Sequence, residues 1–138
     1  MDTYLKKLQE YGIFSQKEYH AKAFSRNIGL LSPSEQEALA KARIAIPGMG
    51  GVGGAHLITM VRTGIARFNL ADFDVYEPAN INRQFGARVP EFGRPKLEVM
   101  KEQALSINPF LEIKEFPEGI CEENIDAFLE GVSLVLDS

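Results

Sequence analysis

Residues 43–54 read RIAIPGMGGVGG, a short apolar run that leads into a cluster of glycines. We interpret residues 42–46 as a buried strand that ends at Pro47, because the run is short, apolar and bounded by a turn signal. After the glycines, apolar residues recur at helical spacing until Gly64, which suits the C-terminal end of a helix. Residues 67–72 predict a second strand. The segment therefore predicts a strand–glycine loop–helix–strand unit.

The rest of the sequence continues this alternation of helices and strands. A capping box at Ser32-Pro33-Ser34-Glu35 predicts the start of a helix just before the unit. The other predicted elements are helices near 97–107 and 125–129 and strands near 111–114 and 132–136. We therefore predict an α/β fold, a Rossmann-like, doubly wound and mostly parallel sheet that follows N-terminal helices.

The predicted elements divide the chain into two parts. Residues 1–31 are polar with scattered aromatic side chains, and we expect them to form a helical extension. Residues 32–138 are expected to be the N-terminal part of a nucleotide-binding domain. In a parallel sheet, ligand-binding loops begin where the strands end, and the last predicted strand stops at Asp137-Ser138. We therefore expect an incomplete domain.

Composition and charge narrow the class of protein. The chain has 138 residues, of which 45% are hydrophobic and 25% charged, as in a soluble globular domain. Its net charge of −4 disfavours nucleic acid and anionic membranes as partners.

No apolar segment approaches the roughly 18 residues that span a bilayer, and the N-terminal residues lack the apolar block of a signal peptide. The single cysteine, Cys121, excludes an internal disulfide and a CxxC metal site. We expect a cytoplasmic protein. We assign no metal-ligating residue in this chain, and Asp137 either caps the last strand or lies near a magnesium ion.

The glycine cluster has the GxGxxG spacing of a phosphate-binding turn, with Gly48, Gly50 and Gly53 at its three positions and Gly51 between them. The first glycine allows a tight turn, the second lets the backbone approach phosphate, and the third lets the helix and strand pack closely. The start of the helix then offers free N–H groups and a partial positive charge. The cluster predicts that a nucleotide phosphate binds there.

A carboxylate stands at the end of the second predicted strand. Asp72 lies 24 residues after Gly48 (72 − 48), a position from which it can accept hydrogen bonds from ribose hydroxyls. Because NAD and ATP both contain a ribose and a phosphate, the loop and Asp72 are compatible with either ligand.

Two cationic residues after Asp74 favour a triphosphate. Arg83 can hold a phosphate through two hydrogen bonds, and Lys96 can act as a mobile point charge. Lys96 falls in the first turn of a predicted helix, where the helix dipole disfavours a cation and a bound anion would compensate. We therefore predict that ATP, rather than a dinucleotide, is the ligand.

The order of these motifs matches a known family. The matching segments are GMGGVG at 48–53, DFD at 72–74, NINRQ at 80–84, GRPK at 93–96 and INP at 107–109. Together they resemble the ThiF/MoeB/HesA family, whose superfamily includes the ubiquitin-activating-type enzymes. The resemblance covers roughly residues 24–138, and the NINRQ block is far more specific than the glycines.

The resemblance implies a doubly wound fold that binds ATP and Mg²⁺ and adenylates a carboxylate. The usual substrate in the family is the C-terminal glycine of a ubiquitin-like or sulfur-carrier protein. By the same resemblance, Asp72 would hold the ribose, Asn80, Arg83 and Lys96 would contact the phosphates, and Arg26 would reach a triphosphate across a homodimer interface. We thus expect Arg83, Lys96 and Arg26 to be catalytic. The remaining residues assigned to the nucleotide site are Gly48, Gly50, Gly51, Gly53, Asp74 and Gln84.

The sequence departs from the family pattern in several places. The N-terminal arginine motif reads Phe24-Ser25-Arg26-Asn27, with asparagine where the family has glutamine. The family's metal-binding aspartate falls two residues beyond Asp137, past the end of this sequence. Cys121 precedes a predicted helix on the wrong side of the domain for a nucleophile, and we expect it to be a partly buried, inert thiol.

Two other functions remain open. An NAD(P)-dependent oxidoreductase would share the first strand–loop–helix–strand unit. A non-catalytic scaffold, like the inactive half of a heterodimeric activating enzyme, would share the whole fold. Retention of Arg83 and Lys96 argues against the scaffold. The substrate itself, whether a carrier-protein C-terminus, a peptide or a small acid, is not encoded in these residues.

Overall fold

The computed structural model describes residues 2–138, so Met1, the first residue of the predicted extension, lies outside the described residues. The helices are α1 (Asp2–Glu10), α2 (Gln16–Ala23), α3 (Pro33–Lys41), α4 (Gly51–Thr63), α5 (Lys96–Ile107) and α6 (Ile125–Leu129). The strands are β1 (Arg43–Pro47), β2 (Arg67–Ala71), β3 (Glu112–Phe116) and β4 (Leu134–Val135). Short 3₁₀ turns lie at Ser25–Asn27, Pro78–Asn80 and Val89–Glu91. Within residues 2–138, none of the helices has both the length and the apolar character to cross a membrane.

The four strands form one parallel sheet in the order β3-β2-β1-β4. The chain passes from β1 to β2 and β3 on one side, then returns to place β4 on the other side of β1. The strand order therefore reverses beside β1. In open α/β sheets, ligands bind in the crevice at this reversal, beyond the carboxyl ends of the strands. The glycine loop follows β1 and so lies at that crevice.

Helices cover both faces of the sheet. On one face, the side chains of Ile44, Ile46, Phe68 and Leu70 form a core with α4 and α5. Their neighbours along the strands point to the other face, where Ala45 and Ala71 pack against Phe128 of α6. Alternate strand residues project to opposite faces, so burial on both faces explains the continuous apolar run in β1. The predicted doubly wound α/β fold is confirmed.

The predicted helix ends are present. Ser32 and Glu35 form a complete capping box at the start of α3, with Pro33 at the first helical position. Gly64 ends α4 in a left-handed conformation, with φ of 114°, and its N–H bonds to the carbonyls of Met60 and Val61. Glycine adopts this conformation without the strain that a Cβ would cause.

The N-terminal extension contains two helices, and α2 attaches it to the sheet domain. The Tyr19 hydroxyl donates to the carbonyl of Ile107 at the end of α5. The His20 ring lies 3.2 Å, Nε2 to Nδ2, from the amide of Asn108. Partial burial lowers the pKa of His20 from its usual 6.5, because a charged imidazolium loses hydration there. These contacts place α2 at the amino ends of the strands.

The expected burial of Cys121 is wrong. Cys121 is exposed, because residues 117–124 form a surface turn between β3 and α6. The Asn124 side chain holds this turn, since its Oδ1 accepts from the Cys121 N–H at 2.8 Å and its Nδ2 donates to the Gly119 carbonyl at 2.7 Å. The thiol lies on the loop itself and not beneath it.

Candidate functional site

The glycine loop connects the carboxyl end of β1 to α4. Gly48 has φ of 125°, a conformation that favours glycine, and its N–H donates to the Ala71 carbonyl at 2.7 Å. A Cβ on Gly53 would overlap the carbonyl oxygen of Gly48, so only glycine lets the helix approach the loop this closely. The first N–H groups of α4, which begins at Gly51, have no partners within the helix. Free N–H groups at the start of a helix are the kind of groups that accept an anion.

Asp72 lies directly beyond β2 and ties this strand to the glycine loop. Its Oδ2 accepts from the Met49 N–H and its Oδ1 from the Asp74 N–H, both at 2.7 Å. A carboxylate has about four acceptor positions, and Asp72 is only partly buried. It therefore retains acceptor capacity for a ligand hydroxyl.

The segment that contains Arg83 and Gln84 folds back over the glycine loop. A Cβ on Gly51 would lie 3.0 Å from the carbonyl oxygen of Arg83 and 3.6 Å from its Cγ. A Cβ on Gly50 would lie 3.6 Å from the Nε2 of Gln84. The structure therefore brings these two residues to the first turn of α4, although more than 30 residues separate them from the loop in sequence.

The two side chains differ in burial and in partners. The exposed Arg83 guanidinium donates to the Ala79 carbonyl at 3.1 Å and to Asn82 Oδ1 at 3.0 Å, and among residues 2–138 it forms no ion pair. Gln84 is 7% exposed, and its Oε1 is buried without a hydrogen-bond partner in this part of the chain. An unpaired buried acceptor is destabilising by about 1–3 kcal/mol, so a ligand donor at this position would be favoured.

Asn80 shapes the turn that carries Arg83. Its Oδ1 accepts from the Glu77 N–H at 2.8 Å, and its carbonyl accepts from the Gln84 N–H at 3.0 Å. Asn80 is buried. Its side chain therefore fixes the 3₁₀ turn at Pro78–Asn80.

Lys96 begins α5 and is nearly enclosed. Its side chain is 9% exposed, and its Nζ lies 4.0 Å from Asp74 Oδ2, at the limit of an ion pair. The Lys96 N–H donates to the Asp74 carbonyl at 3.0 Å. The Nζ also lies 5.9 Å from the ring centre of Tyr76. The expectation that Lys96 starts a helix is confirmed, and its ammonium is held loosely beside the Asp72–Asp74 segment.

Arg26 lies away from the loop of its own chain. The neighbouring Asn27 side chain donates to the Thr63 carbonyl at 3.3 Å, at the C-terminal end of α4. The glycine loop is at the other end of this 13-residue helix, about 20 Å away. The exposed Arg26 therefore faces a different end of the domain.

The end of β4 approaches the loop from the opposite side of β1. The Ser138 hydroxyl donates to the Pro47 carbonyl at 2.5 Å, and its oxygen would lie 2.6 Å from a Cβ on Gly48. The exposed Asp137 therefore lies next to the strand reversal. Within the described part of the chain, no cluster of three or more histidine, cysteine or acidic side chains has the geometry of a metal site.

A second concave region lies at the other end of the sheet. A groove of about 800 Å³ runs between α2, α3 and the amino ends of β2 and β3, with His20, Gln36, Arg67 and Glu112 among its lining residues. Ligands of open parallel sheets bind at the carboxyl ends of the strands. We therefore place the candidate site at the glycine loop and not in this groove.

A family model described as the ThiF family matches residues 24–138. The chain belongs to the ThiF family. The resemblance drawn from the sequence motifs is thereby confirmed. As a ThiF-family chain, it has its glycine loop, Asp72 and Arg83 at the edge of the sheet where nucleotides bind in doubly wound folds.

Known proteins similar to this ThiF-family chain are longer. The tRNA threonylcarbamoyladenosine dehydratase of Bacillus subtilis (strain 168) is 33% identical over 116 residues, which are 83% of this chain and 46% of that relative. The sulfur carrier protein adenylyltransferase of Thermus thermophilus is 28% identical over 120 residues, which are 87% of this chain and 43% of that relative. The solved structure of E. coli tRNA N6-threonylcarbamoyladenosine dehydratase, TcdA, in complex with ATP gives a TM-score of 0.82 at 29% identity, covering 91% of this chain and 51% of that chain. The chain thus spans about half the length of these relatives.

One residue near the site was missed by the sequence reasoning. Tyr76 is 1% exposed and lies beneath the segment that joins Asp74 to α5. In the sequence, Tyr76 is simply an aromatic residue between the DFD segment at 72–74 and the NINRQ segment at 80–84. Such a residue is usually part of the core, so its position in the sequence does not link it to Arg83 or Lys96.

Proposed function

We propose that this chain forms the ATP-binding part of an adenylyltransferase that activates a carboxylate. The substrate we favour is the C-terminus of a ubiquitin-like or sulfur-carrier protein. Its carboxylate would attack the α-phosphate of ATP, giving an acyl-adenylate and pyrophosphate. The family match favours this activity over the oxidoreductase alternative, and the similarity to a sulfur carrier protein adenylyltransferase supports the class of substrate.

The observation that carries the proposal is the position of Arg83 and Gln84 against the start of α4. A loop that only turned the chain would not need a guanidinium and an unpaired amide oxygen beside Gly50 and Gly51. A nucleotide phosphate on the loop would lie within reach of Arg83. The Gln84 oxygen could accept from a donor on the same ligand.

The residues at the site fit ATP chemically. Asp72 keeps acceptor positions for ribose hydroxyls, the N-terminus of α4 suits a phosphate, and Asn80 fixes the turn that presents Arg83. Lys96 has only a long contact to Asp74, which a phosphate oxygen could replace at shorter distance. The E. coli relative whose structure was solved with ATP shares this fold.

Arg83 and Lys96 would act on the leaving group. Negative charge builds on the departing pyrophosphate, and cations already in place stabilise that charge without reorganising. By comparison with the loss of one oxyanion donor, each cation would contribute about 2.7–4 kcal/mol to transition-state stability. The glycine loop and Asp72 would orient the nucleotide for in-line attack.

Mg²⁺ fits the donors near the loop. Magnesium ions in nucleotide sites use one or two carboxylates together with the substrate phosphates, so the lack of a three-residue cluster within residues 2–138 does not argue against it. Asp137 is the exposed carboxylate beside the strand reversal and is the residue we assign to this role. The ion would supply additional charge neutralisation at the phosphates.

The position of Arg26 supports a homodimer. Arg26 lies at the end of α4 opposite its own loop, so it could reach a triphosphate only in a second copy of the chain. We propose that it does so. This arrangement would make the active site depend on dimer formation.

The test is ATP–pyrophosphate exchange by the complete protein with a sulfur-carrier substrate. We expect exchange to fall about 10²- to 10³-fold in Arg83→Ala and in Lys96→Ala. Lys101→Ala is the matched control, because Lys101 is on the same helix but pairs with Glu115 at 2.8 Å, away from the loop. Exchange that is unchanged in Arg83→Ala and Lys96→Ala would contradict the proposal. Binding of NADH but not of ATP would favour an oxidoreductase. Binding of ATP without adenylation of a carboxylate would favour a scaffold.

A further inference from the structure

Tyr76 contacts one cationic segment of the candidate site through its backbone and the other through its side chain. Its N–H donates to the Arg94 carbonyl at 3.0 Å, and its carbonyl accepts from the Gly93 N–H at 2.9 Å. These two bonds attach Tyr76 to the strand-like segment that immediately precedes Lys96. Val75 and Pro95 form an antiparallel bridge next to them. The backbone of Tyr76 therefore fixes where α5 begins.

The far end of the Tyr76 side chain meets the other cationic segment. A Cβ on Gly86 would overlap the Tyr76 hydroxyl oxygen and would lie 2.8 Å from the sulfur of Met100. The phenol therefore fills the space that a side chain at position 86 would need. Gly86 follows Arg83 by three residues, so the length of the phenol ring sets how closely the Arg83 segment approaches α5.

The face of the same ring lies near the Lys96 ammonium. The Nζ is 5.9 Å from the ring centre, within the range of a cation–π contact. Burial raises the pKa of the Tyr76 phenol to about 12, with further contributions from the Asp72 and Glu91 carboxylates, so the ring stays neutral at physiological pH. A neutral ring can stabilise the ammonium without an opposite charge, and the Asp74 carboxylate lies 4.0 Å from it.

We propose that Tyr76 is a positioning residue that sets the spacing between Arg83 and Lys96. Its backbone fixes the entry to α5, its ring face holds the Lys96 side chain, and its hydroxyl end supports the backbone at Gly86. This inference rests on the proposed function, because the two cations matter together only if they share one phosphate chain.

The aromatic ring of Tyr76, and not its hydroxyl group, positions the two segments. The Tyr76 oxygen is buried and has no hydrogen-bond partner within residues 2–138, so its removal breaks no bond in the structure. Tyr76→Phe keeps the ring face and most of the length that reaches Gly86. Tyr76→Leu removes both. The pair of variants therefore separates positioning by the ring from any direct contribution of the phenol oxygen.

The first experiment does not depend on ATP. Trace acetylation of the complete protein, read by peptide mass spectrometry, gives the reactivity of Lys96 relative to Lys101. In Tyr76→Leu we expect the relative reactivity of Lys96 to rise roughly 3- to 30-fold, the equivalent of losing a partly desolvated cation–π contact. In Tyr76→Phe we expect the wild-type ratio. An unchanged ratio in Tyr76→Leu, or an equal rise in Tyr76→Phe, would overturn the proposal.

The second experiment measures ATP–pyrophosphate exchange. We expect Tyr76→Leu and Gly86→Ala each to lower kcat with little change in the KM for ATP, because misplaced cations affect the transition state more than ground-state binding. The double variant should have about the same exchange activity as Tyr76→Leu alone, since the overlap with the phenol is gone and the flexible Met100 side chain can move away from the added methyl. Losses that multiply would show independent roles and would overturn the proposal.

These two readouts keep the proposals distinguishable. A wild-type protein without exchange activity refutes the proposed function, while the acetylation ratio still tests Tyr76. If Tyr76→Leu fails to fold, Gly86→Ala provides the same acetylation test, because its methyl displaces the ring from Lys96. An unchanged ratio in that variant would again count against the role of Tyr76.

Discussion

The polar side chains at the two ends of the sheet differ in whether they have hydrogen-bond and ion-pair partners. At the amino ends, the buried Arg43 pairs with Glu112 and donates at 2.9 Å to Oδ1 of Asn69, in the middle of β2. Asn69 Nδ2 in turn donates to the Phe128 carbonyl at 2.7 Å. At the carboxyl ends, Gln84 Oε1 has no partner among the described residues, and Lys96 reaches its carboxylate only at 4.0 Å.

This contrast separates polar groups that have partners within the fold from polar groups that the proposed function assigns to a ligand. Buried polar atoms in native proteins are almost always hydrogen-bonded, so an exception needs a reason. The satisfied network at the amino ends can be explained by folding alone. The unsatisfied groups at the carboxyl ends reduce stability, and binding of a nucleotide would explain why they are present.

The largest effect is expected from Lys96→Met. Exchange activity should fall about 10²- to 10³-fold, because a cation at the leaving group is lost. The free energy of unfolding should stay within about 1 kcal/mol of the wild-type value or increase, because an ammonium with only a long ion pair leaves a buried position. Urea unfolding and pyrophosphate exchange measure the two quantities. A large loss of stability would mean that Lys96 belongs to the structural network.

The opposite behaviour is expected at the amino ends. Arg43→Met should lower the free energy of unfolding by about 2–4 kcal/mol, because it removes a buried cation and leaves Asn69 Oδ1 without its donor. Arg67→Met is the matched control, since Arg67 contacts the same Glu112 at 3.7 Å but is half-exposed, and it should cost no more than about 1 kcal/mol. Equal losses in urea unfolding would remove the distinction between the two ends.

A pair of amide substitutions sharpens the comparison. Asn69→Leu should cost about 1–3 kcal/mol, because the Phe128 carbonyl loses its side-chain donor and Arg43 loses one of its two acceptors. Gln84→Met should be near neutral or slightly stabilising, because it removes an acceptor that has no partner in the described chain. Differential scanning calorimetry of both variants without nucleotide is the measurement. A stability loss in Gln84→Met as large as that in Asn69→Leu would indicate that Gln84 has a structural partner.

The smallest effect concerns pH. The pKa of His20 is lower in the folded protein than its usual 6.5, so the unfolded chain binds the proton more readily. The stability associated with neutral His20 is therefore complete above pH 6.5 and decreases as the pH falls toward and below the folded-state pKa. His20→Gln cannot titrate and should lose less stability over the same acidic range. Parallel pH dependence of the two proteins in urea unfolding would contradict the expected shift.

Local sequence signals were sufficient for most of the fold. The capping box at Ser32, the glycine that ends α4 and the apolar run of β1 each depend on interactions within a few residues, and all three lie where the sequence predicted them. Boundaries were less accurate, because hydrogen bonding to a neighbouring strand decides where a strand ends. The last strand shows this, since β4 contains only Leu134–Val135 whereas the apolar pattern predicted residues 132–136.

For the site, the sequence determined which residue types are present and in what order. Glycines at loop spacing and Asp72 after a strand led to the prediction of a nucleotide site, because the backbone rules for phosphate binding are local. The Asn-x-x-Arg-Gln segment entered through the family resemblance. Tertiary structure alone decided that Arg83 and Gln84 fold back onto Gly50 and Gly51, that Arg26 lies at the far end of α4, and that Tyr76 spans from Gly86 to Lys96. These relations depend on how a long segment crosses the edge of the sheet. Residue spacing along a chain does not specify distances of that kind.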